Sequence, residues 1–397
     1  MTWPFSWTPR GRRTIGQVYR TLARLRTSAK ANYSHFARIT ATSLVHASLC
    51  IARARVRLGT VLAPPRAICI SPVERTLQRA RVREGGSLPS TPNRTAVELA
   101  VFNRRMDDWK LADPLYDFAE RKTREASSAE VHALITTETG PLERTLCGIG
   151  NDWTRRHFGG DFRLLPLPSA APAITLVFVQ SWDGNTDADN PEDLGGGATD
   201  KHLLYEGLSR AAADAVLAGT ATAIGRSAFF SVWHPEIVAL RHELGLSRHP
   251  AQVVVSVTGL HLDLEGSLLF NVPEVPVFLL AGNICRDRWA TRLAERPWIT
   301  VISIEPHGLL GALSHLRAHH GIRRISAIGG RTTASNLVDA GLVQDLCLTT
   351  SPLSGGKPDT PFYTGRQTLS FATIVEKREV GTREPISFAH LVLCPRA

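Results

Sequence analysis

Residues 325–337 are the part of the sequence with the clearest capacity for chemistry. An apolar run ends there in paired glycines at 329–330, and hydroxyl and amide side chains follow. Glycines let a backbone approach a ligand closely, and free N–H groups at the start of a helix favour a phosphate. Arg331 can add charge-assisted hydrogen bonds, and Thr332 and Thr333 can cap the helix or bind the same anion. A tight strand-to-helix turn with a threonine cap explains the pattern equally well.

Two other segments place small or polar residues directly after an apolar run. One ends in Gly219 and continues to Thr222, and the other continues to Ser181 and Asp183. An Asp-Gly pair after a strand is also an ordinary turn signal. In a mainly parallel sheet, the carboxyl ends of the strands share one edge, where ligands bind. The sequence therefore predicts that the three segments line a single cleft.

The elements that must position these residues follow from the hydrophobic pattern after residue 171, where strands alternate with helices. The pattern predicts strands at 174–180, 215–218, 252–257, 276–280, 298–304 and 324–328. It predicts helices at 201–213, 309–319 and 333–340, and closing strands at 345–350, 368–377 and 387–393. Alternation followed by consecutive strands indicates an α/β fold with a mixed, mainly parallel sheet and helices on both faces. Upstream, two helices are predicted, at 96–110 and 114–135.

Charge and composition divide the chain of 397 residues into three parts. Residues 1–85 hold fifteen Arg and one Lys against two acidic residues, a charge of +14 within a total of +10, which leaves −4 for the rest. We predict a basic, disordered leader at 1–85, a partly helical segment with a Pro-rich linker at 86–170, and an α/β domain at 171–397. The net charge therefore describes the leader and not the domain that carries the candidate site.

The basic leader has several interpretations. A disordered extension or translation from an upstream start codon explains it most simply. An amphipathic, Arg-rich and acid-free segment is also typical of an organellar transit peptide. Contact with nucleic acid or a membrane is a further reading, restricted to this segment. For the rest of the chain we expect neither.

Several classes of protein are disfavoured by the sequence. The six cysteines are scattered without a C-x-x-C pair, which suits a reducing compartment and argues against a disulfide framework or a zinc knuckle. No apolar run approaches the ~18 residues of a membrane span. His315 and His319 lie one helical turn apart but lack the H-E-x-x-H pattern of a zinc site. We therefore expect a cytoplasmic protein without a metal.

Taken together, the motifs resemble a known family. They are Ser181-x-Asp183-Gly184, then Arg210 with Asp214-Ala-Val-Leu-x-Gly219-x-x-Thr222, then Gly329-Gly330 with Leu337-Val-Asp-Ala-Gly341 and Ser351-Pro352-x-x-Gly355-Gly356. In order and spacing they resemble the pyrimidine reductase domain of riboflavin biosynthesis, the C-terminal domain of the bifunctional deaminase-reductase, over residues 171–397. That domain is similar in fold to dihydrofolate reductase. The resemblance therefore implies a dihydrofolate-reductase-like three-layer sandwich.

The resemblance also implies an activity and a set of site residues. The family's reaction is NADPH-dependent hydride transfer to the ribosyl group of a 5-amino-6-(5-phosphoribosylamino)uracil-like substrate, commonly in a homodimer. The residues that match the family's cofactor site are Thr222, Gly329, Gly330, Arg331, Thr332, Thr333, Ser335 and Asn336. Ser181 and Arg210 match substrate-binding positions, with Arg210 on the ribose phosphate. Asp183 borders the site and is the candidate proton donor, with water as the alternative.

The sequence departs from the family pattern at three places. Ile328 stands where the family often has a substrate-binding Glu, Arg226 and Ser227 replace the usual Asp-Asn-Pro, and the glycines at 195–197 replace a tryptophan. A different reductase of the same fold, acting on another heterocycle, is therefore an alternative, as is a catalytically degenerate binding protein. The deaminase half of the family needs H-x-E and P-C-x-x-C. His234-Pro-Glu236 has no such cysteine partner, so deamination is not expected.

Overall fold

A computed structural model of the protein describes residues 113–188 and 194–394. The predicted basic leader and the predicted helix at 96–110 lie outside the described residues. No helix in the described ranges is both long enough and apolar enough to cross a membrane. The division of the chain at residues 85 and 170 stays a prediction.

The described chain is built on one ten-stranded sheet with the order β1-β11-β12-β10-β4-β9-β5-β6-β7-β8. The strands before the turn at Gly329 and Gly330, called the glycine turn below, are β1 Leu134–Thr139, β4 Ala173–Gln180, β5 Ala215–Gly219, β6 Ala251–Ser256, β7 Val277–Ala281, β8 Ile299–Ser303 and β9 Arg324–Ile328. Those after it are β10 Val343–Thr350, β11 Ser370–Glu379 and β12 Ser387–Cys394. Strands β2 Cys147–Ile149 and β3 Phe162–Leu164 form a separate hairpin.

Seven neighbouring strands of the sheet, from β10 to β8, run parallel. The remaining three strands are joined by antiparallel pairs: β12 pairs with β10 on one side and with β11 on the other, and β11 pairs with β1 at the edge of the sheet. Every residue of β5 and β7 is buried, as expected for parallel strands that are covered on both sides. The predicted mixed, mainly parallel sheet is confirmed.

Helices cover both faces of the sheet. They are α1 Asp113–Ser128, α2 Asp152–Phe158, α4 Pro235–Glu243, α5 Asn283–Ala294, α6 Gly308–His320 and α7 Arg331–Asp339. Between α2 and α4 lies α3, a helical run whose π-helical centre, Asp200–Leu208, has one α-helical turn on each side, Gly197–Thr199 and Ser209–Ala211. Successive residues of a strand face opposite sides. Accordingly, Leu217 of β5 packs in the apolar cluster with α6 and α7, and Val216 packs in the cluster with α3 and α4.

The region before residue 171 differs from its prediction. The helix predicted at 114–135 ends at Ser128, and Leu134 begins a strand. Leu134 pairs with Glu379, more than 240 residues away, so the strand depends on a partner that local periodicity does not reveal. Helices α4 and α5 were also absent from the prediction. Most of α5 is exposed, so few of its positions carry the apolar residues from which a helix is predicted.

Candidate active site

Three strand ends meet at one edge of the sheet, as predicted. Strand β9 lies between β4 and β5 and is parallel to both. In the register, Val177 is opposite Ile328, so β4 extends three residues beyond the end of β9. The segment after β4 therefore begins further out from the sheet than the glycine turn that follows β9. Together with the loop after β10, these strand ends form the candidate active site.

The glycine turn after β9 is in close contact with the end of β5. Gly329 and Gly330 have φ values of 62° and 77°, which L side chains rarely adopt. A Cβ at Gly329 would lie 3.1 Å from Oγ1 of Thr222, and a Cβ at Gly219 would overlap Oγ1 of Thr333. The structure thus brings Gly219, Thr222, the two glycines and Thr333 together, and only residues without a side chain leave room there.

Helix α7 starts at this turn with unsatisfied donors. Gly330 is its N-cap and has no side chain to accept a hydrogen bond, and the first helical bond runs from Ala334 N–H to Gly330 O. The first N–H groups of a helix have no partner within the helix. Since Thr332 and Thr333 lie inside the first turn, the threonine-cap interpretation is wrong. The open N–H groups and the partial positive charge of the helix end suit an anionic oxygen.

Charged side chains stand beside this helix start. Nη2 of Arg331 lies 3.5 Å from Oδ2 of Asp187, and Nζ of Lys357 lies 3.6 Å from Oδ1 of the same carboxylate. Asp187 follows β4, so this ion pair links the loop after β4 to the glycine turn. The contact with Asp187 holds the guanidinium of Arg331 next to the N-terminus of α7.

Ser335 and Asn336, also predicted in the cofactor site, lie in the second turn of α7. Ser335 is buried, and its Oγ accepts a hydrogen bond of 3.1 Å from Thr364 N–H. Asn336 is exposed. Neither side chain is brought to the glycine turn by a contact of the described residues, and their roles stay predictions.

The loops that follow β4 and β10 are joined by hydrogen bonds. Asp183 is exposed and accepts a bond of 2.9 Å from Ser354 Oγ, and Trp182 N–H donates to Leu353 O at 2.8 Å. Ser181 is fully buried, and its Oγ accepts from Asn185 N–H at 3.3 Å. The hydroxyl of Ser181 therefore stabilises the turn, whereas the carboxylate of Asp183 faces solvent at the edge of the site.

Arg210 is not brought to the glycine turn. It lies in the last turn of α3, before β5 begins, and so at the end of β5 opposite to Gly219. The side chain is 1% exposed, donates a bond of 2.8 Å to Ser231 O, and stacks its guanidinium on Tyr205 at 4.7 Å. One donor, Nε, has no acceptor among the described residues. The predicted phosphate contact stays a prediction, and the observed contacts are structural.

A buried carboxyl that the sequence analysis missed is Asp200, at the start of the π-helical segment of α3. It is 7% exposed and hydrogen-bonds Thr349 near the carboxyl end of β10. Burial raises the pKa of Asp200 to about 6, Glu206 adds to the rise, and the bond to Thr349 opposes it. An acidic residue at the start of a helix is an ordinary favourable placement. The sequence therefore carried no sign that this one is buried and protonates near neutral pH.

The residue in place of the family's Glu is an ordinary core residue. Ile328 is 1% exposed and packs in the apolar cluster with Val177, Ala218 and Cys347. Among residues 113–188 and 194–394, no group of three or more His, Cys, Asp and Glu side chains is placed to hold a metal ion.

A mixed, mainly parallel sheet with helices on both faces and a glycine turn at the carboxyl edge of its parallel strands defines the class of protein as an α/β domain. Residues 172–383 match the RibD C-terminal domain, so the chain belongs to that family. The resemblance found in the motifs is confirmed by this match. No curated protein sequence matches the chain.

Solved structures with a related fold have low sequence identity to the chain. A pyrimidine reductase-like protein from Corynebacterium diphtheriae is 19% identical over 57% of this chain and 93% of its own, with a TM-score of 0.46. Acinetobacter baumannii RibD is 18% identical, with a TM-score of 0.44, over 57% of this chain and 59% of its own. Dihydrofolate reductase from Enterococcus faecalis, in complex with NADP(H), is 11% identical over 56% of this chain and 97% of its own, with a TM-score of 0.29.

Proposed function

We propose that the protein is an NADPH-dependent pyrimidine reductase of the riboflavin pathway, acting on a 5-amino-6-(5-phosphoribosylamino)uracil-like substrate. The observation that carries the proposal is the glycine turn between β9 and α7, in a chain that belongs to the RibD C-terminal domain family. Because Gly219, Gly329 and Gly330 have no side chains, the hydroxyls of Thr222 and Thr333 lie close to the backbone of the turn and form a cradle with it. Such a cradle fits the phosphates of a dinucleotide.

Each group of residues in the turn has its own role in holding the cofactor. The N–H groups at the start of α7 bind phosphate oxygens, Arg331 adds positive charge, and the hydroxyls of Thr222 and Thr333 donate hydrogen bonds beside the glycines. When bound, NADPH supplies a hydride. The protein's task is then to align the substrate with the nicotinamide and to exclude water, and orientation of this kind contributes several kcal/mol.

In the open-chain imine form of the substrate, the hydride adds to the ribosyl C1 and the imine nitrogen takes up a proton, which we assign to a carboxyl group at the edge of the site. Asp183 is the candidate from the sequence, and its exposed position next to the loop after β10 supports access to a substrate. Asp200 is a second candidate, because a carboxyl with a pKa of about 6 still carries a proton in part of the enzyme at neutral pH. Ser181 positions this loop from within the turn. We propose that the enzyme acts in the cytoplasm, because the scattered cysteines suit a reducing compartment, and as a homodimer, because the family resemblance implies one.

One observation favours a different substrate. A buried Ile328 offers no hydrogen bond where the family often uses a Glu, so a pyrimidine amide loses that partner. The alternative is an NADPH-dependent reductase of the same fold that acts on another heterocycle. A binding protein that has lost catalysis is the further alternative, and it predicts no hydride transfer to any substrate.

The test is a titration of the full chain with NADPH, read by thermal shift and by oxidation of NADPH with pyrimidine, pterin and flavin substrates. We expect a stabilisation that is lost in Thr222→Val and Gly330→Asp and kept in Thr300→Val, a matched change in β8. Stabilisation without oxidation of NADPH would support the binding protein, and turnover of a pterin or flavin alone would support the other reductase. No stabilisation by NADPH would overturn the proposal.

A further inference from the structure

A cavity lies outside the candidate active site, at the junction between the family domain and the segment before it. It has a volume of about 250 Å³ and is lined by residues of β1, β11, the turn between β1 and β2, and the α2–β3 region. Among them are Thr136, Glu143, Arg144, Gly159, Arg163 and Lys377. Of these six, only Lys377 falls within the residues that match the family. The cavity is therefore made by the upstream segment docking on the edge of the sheet.

Lys377 is the buried charge of this cavity. The residue is 3% exposed, and its Nζ donates to Thr136 Oγ1 at 2.8 Å and to Gly159 O at 3.0 Å. The same ammonium stands 4.4 Å from the ring centre of Phe158. All of these partners are neutral, and among the described residues no carboxylate forms a salt bridge with Lys377. Burying a cation that is not paired with a carboxylate is unfavourable, and an anionic ligand would reduce that cost.

The two carboxylates that line the cavity are each paired with an arginine and not with Lys377. Glu143 is engaged by Arg163, with Nε and Nη2 of the guanidinium 2.7 Å and 2.5 Å from Oε1. Asp161, which also lines the cavity, accepts a bond of 2.7 Å from Nε of Arg155. Arg144 has no ion-pair partner among the described residues. With both carboxylates paired, the positive charges of Arg144 and Lys377 are left in excess.

We infer that this cavity is a binding site for a small oxyanion, a phosphate or carboxylate group held by Lys377, Arg144 and the hydroxyl of Thr136. The Thr136 oxygen accepts from Lys377, so its own O–H is available to donate to the anion. The volume is below the ~300–1,000 Å³ of pockets for drug-sized ligands, which excludes a dinucleotide. The site is thus distinct from the one proposed for NADPH.

Proton uptake gives the site a specific signature. Burial lowers the pKa of Lys377 to about 8, with Glu143 opposing the change and Arg163 adding a smaller decrease. A bound anion favours the ammonium form and raises this pKa. At pH 8, where about half of the lysines are neutral, binding should therefore draw up to about half a proton per site from the buffer.

The experiment is calorimetric titration of the full chain at pH 8 with inorganic phosphate, and in a second arm with succinate, against sodium chloride at equal ionic strength. Two buffers of different ionisation enthalpy measure the proton uptake. We expect saturable binding of at least one probe, with the stronger one identifying the preferred group. Lys377→Met should weaken it about tenfold or more, because a charge-assisted hydrogen bond is lost. Arg144→Gln should weaken it about two- to fivefold, since Arg144 is exposed.

Two controls separate this site from the glycine turn and from misfolding. Gly330→Asp should leave the binding unchanged. Phosphate binding that is lost in Gly330→Asp and kept in Arg144→Gln and Lys377→Met would belong to the glycine turn and would overturn the inference. If Lys377→Met fails to fold, the anion affinity of Arg144→Gln and the proton uptake of the wild type test the inference instead. No saturable binding above the chloride control, or binding without proton uptake and without an effect of Arg144→Gln, would also overturn it.

Discussion

Replacing Asp200 by Asn should make the protein more stable at neutral pH. The carboxyl is 7% exposed at the start of the π-helical segment of α3, where burial disfavours its charged form. Asparagine has nearly the same shape and can still accept a hydrogen bond from Thr349, but it carries no charge. The substitution therefore removes the penalty of a buried carboxylate without opening a cavity.

The size of the effect follows from the pKa. The ordinary value for Asp is 3.8 and the folded value is about 6, so at ~1.4 kcal/mol per pH unit the buried carboxylate costs about 3 kcal/mol when it is ionised. Because the folded pKa is raised, the native state binds more protons between about pH 4 and 6, and the stability falls as the pH rises through that window. The penalty is complete above about pH 6 and vanishes below about pH 4.

Thermal and urea unfolding of wild type and Asp200→Asn at pH 4 and pH 7.5 measure this difference. At pH 7.5 the variant should unfold roughly 6–10 °C higher, and at pH 4 the two midpoints should coincide. Asp183→Asn, which changes an exposed carboxylate at the same edge of the sheet, should leave the unfolding midpoint unchanged at both pH values. An equal gain at both pH values, or no gain at pH 7.5, would refute the argument from burial. If Asp200 holds the transferred proton, the stabilised variant should also be less active.

Two further substitutions test the packing of the site. Gly219→Ala should lower the free energy of unfolding by about 1–3 kcal/mol, because the new methyl overlaps Oγ1 of Thr333. The double variant with Thr333→Ala should recover most of that loss in urea unfolding; failure to recover would show that the two groups are not in contact. Arg210→Met should destabilise by about 1–3 kcal/mol, because the buried Ser231 carbonyl loses its donor, while the KM for the pyrimidine stays unchanged. A raised KM at unchanged stability would instead support the predicted phosphate contact.

The strands of the parallel region were predictable because their patterns are local. Residues 324–328 and 215–218 are short apolar runs that end in glycine, and both are strands within one residue of their predicted limits. The glycine turn was predictable for the same reason, since positive φ and close backbone approach both select glycine. Strand β1 was not, because it depends on pairing with β11 near the other end of the chain.

For the charged residues considered for the site, residue type was a poor guide to burial. Arg210 and Asp183 were both assigned from motif positions, yet one is enclosed by Ser231 and Tyr205 and the other faces solvent. Nothing in the sequence singled out Asp200, although burial raises its pKa to about 6. Whether a charge is desolvated depends on the elements that pack around it, which come from distant parts of the chain.

By itself, the sequence determined the α/β class, the family resemblance, and the position of the turn at Gly329 and Gly330. Local spacing and backbone preference are sufficient for these features. Only the tertiary structure decided which strand ends are neighbours, which carboxyl is buried, and that the segment before residue 171 encloses Lys377 in a cavity. Each of these depends on contacts between residues far apart in the chain, and such contacts set the burial and the electrostatic environment of a side chain.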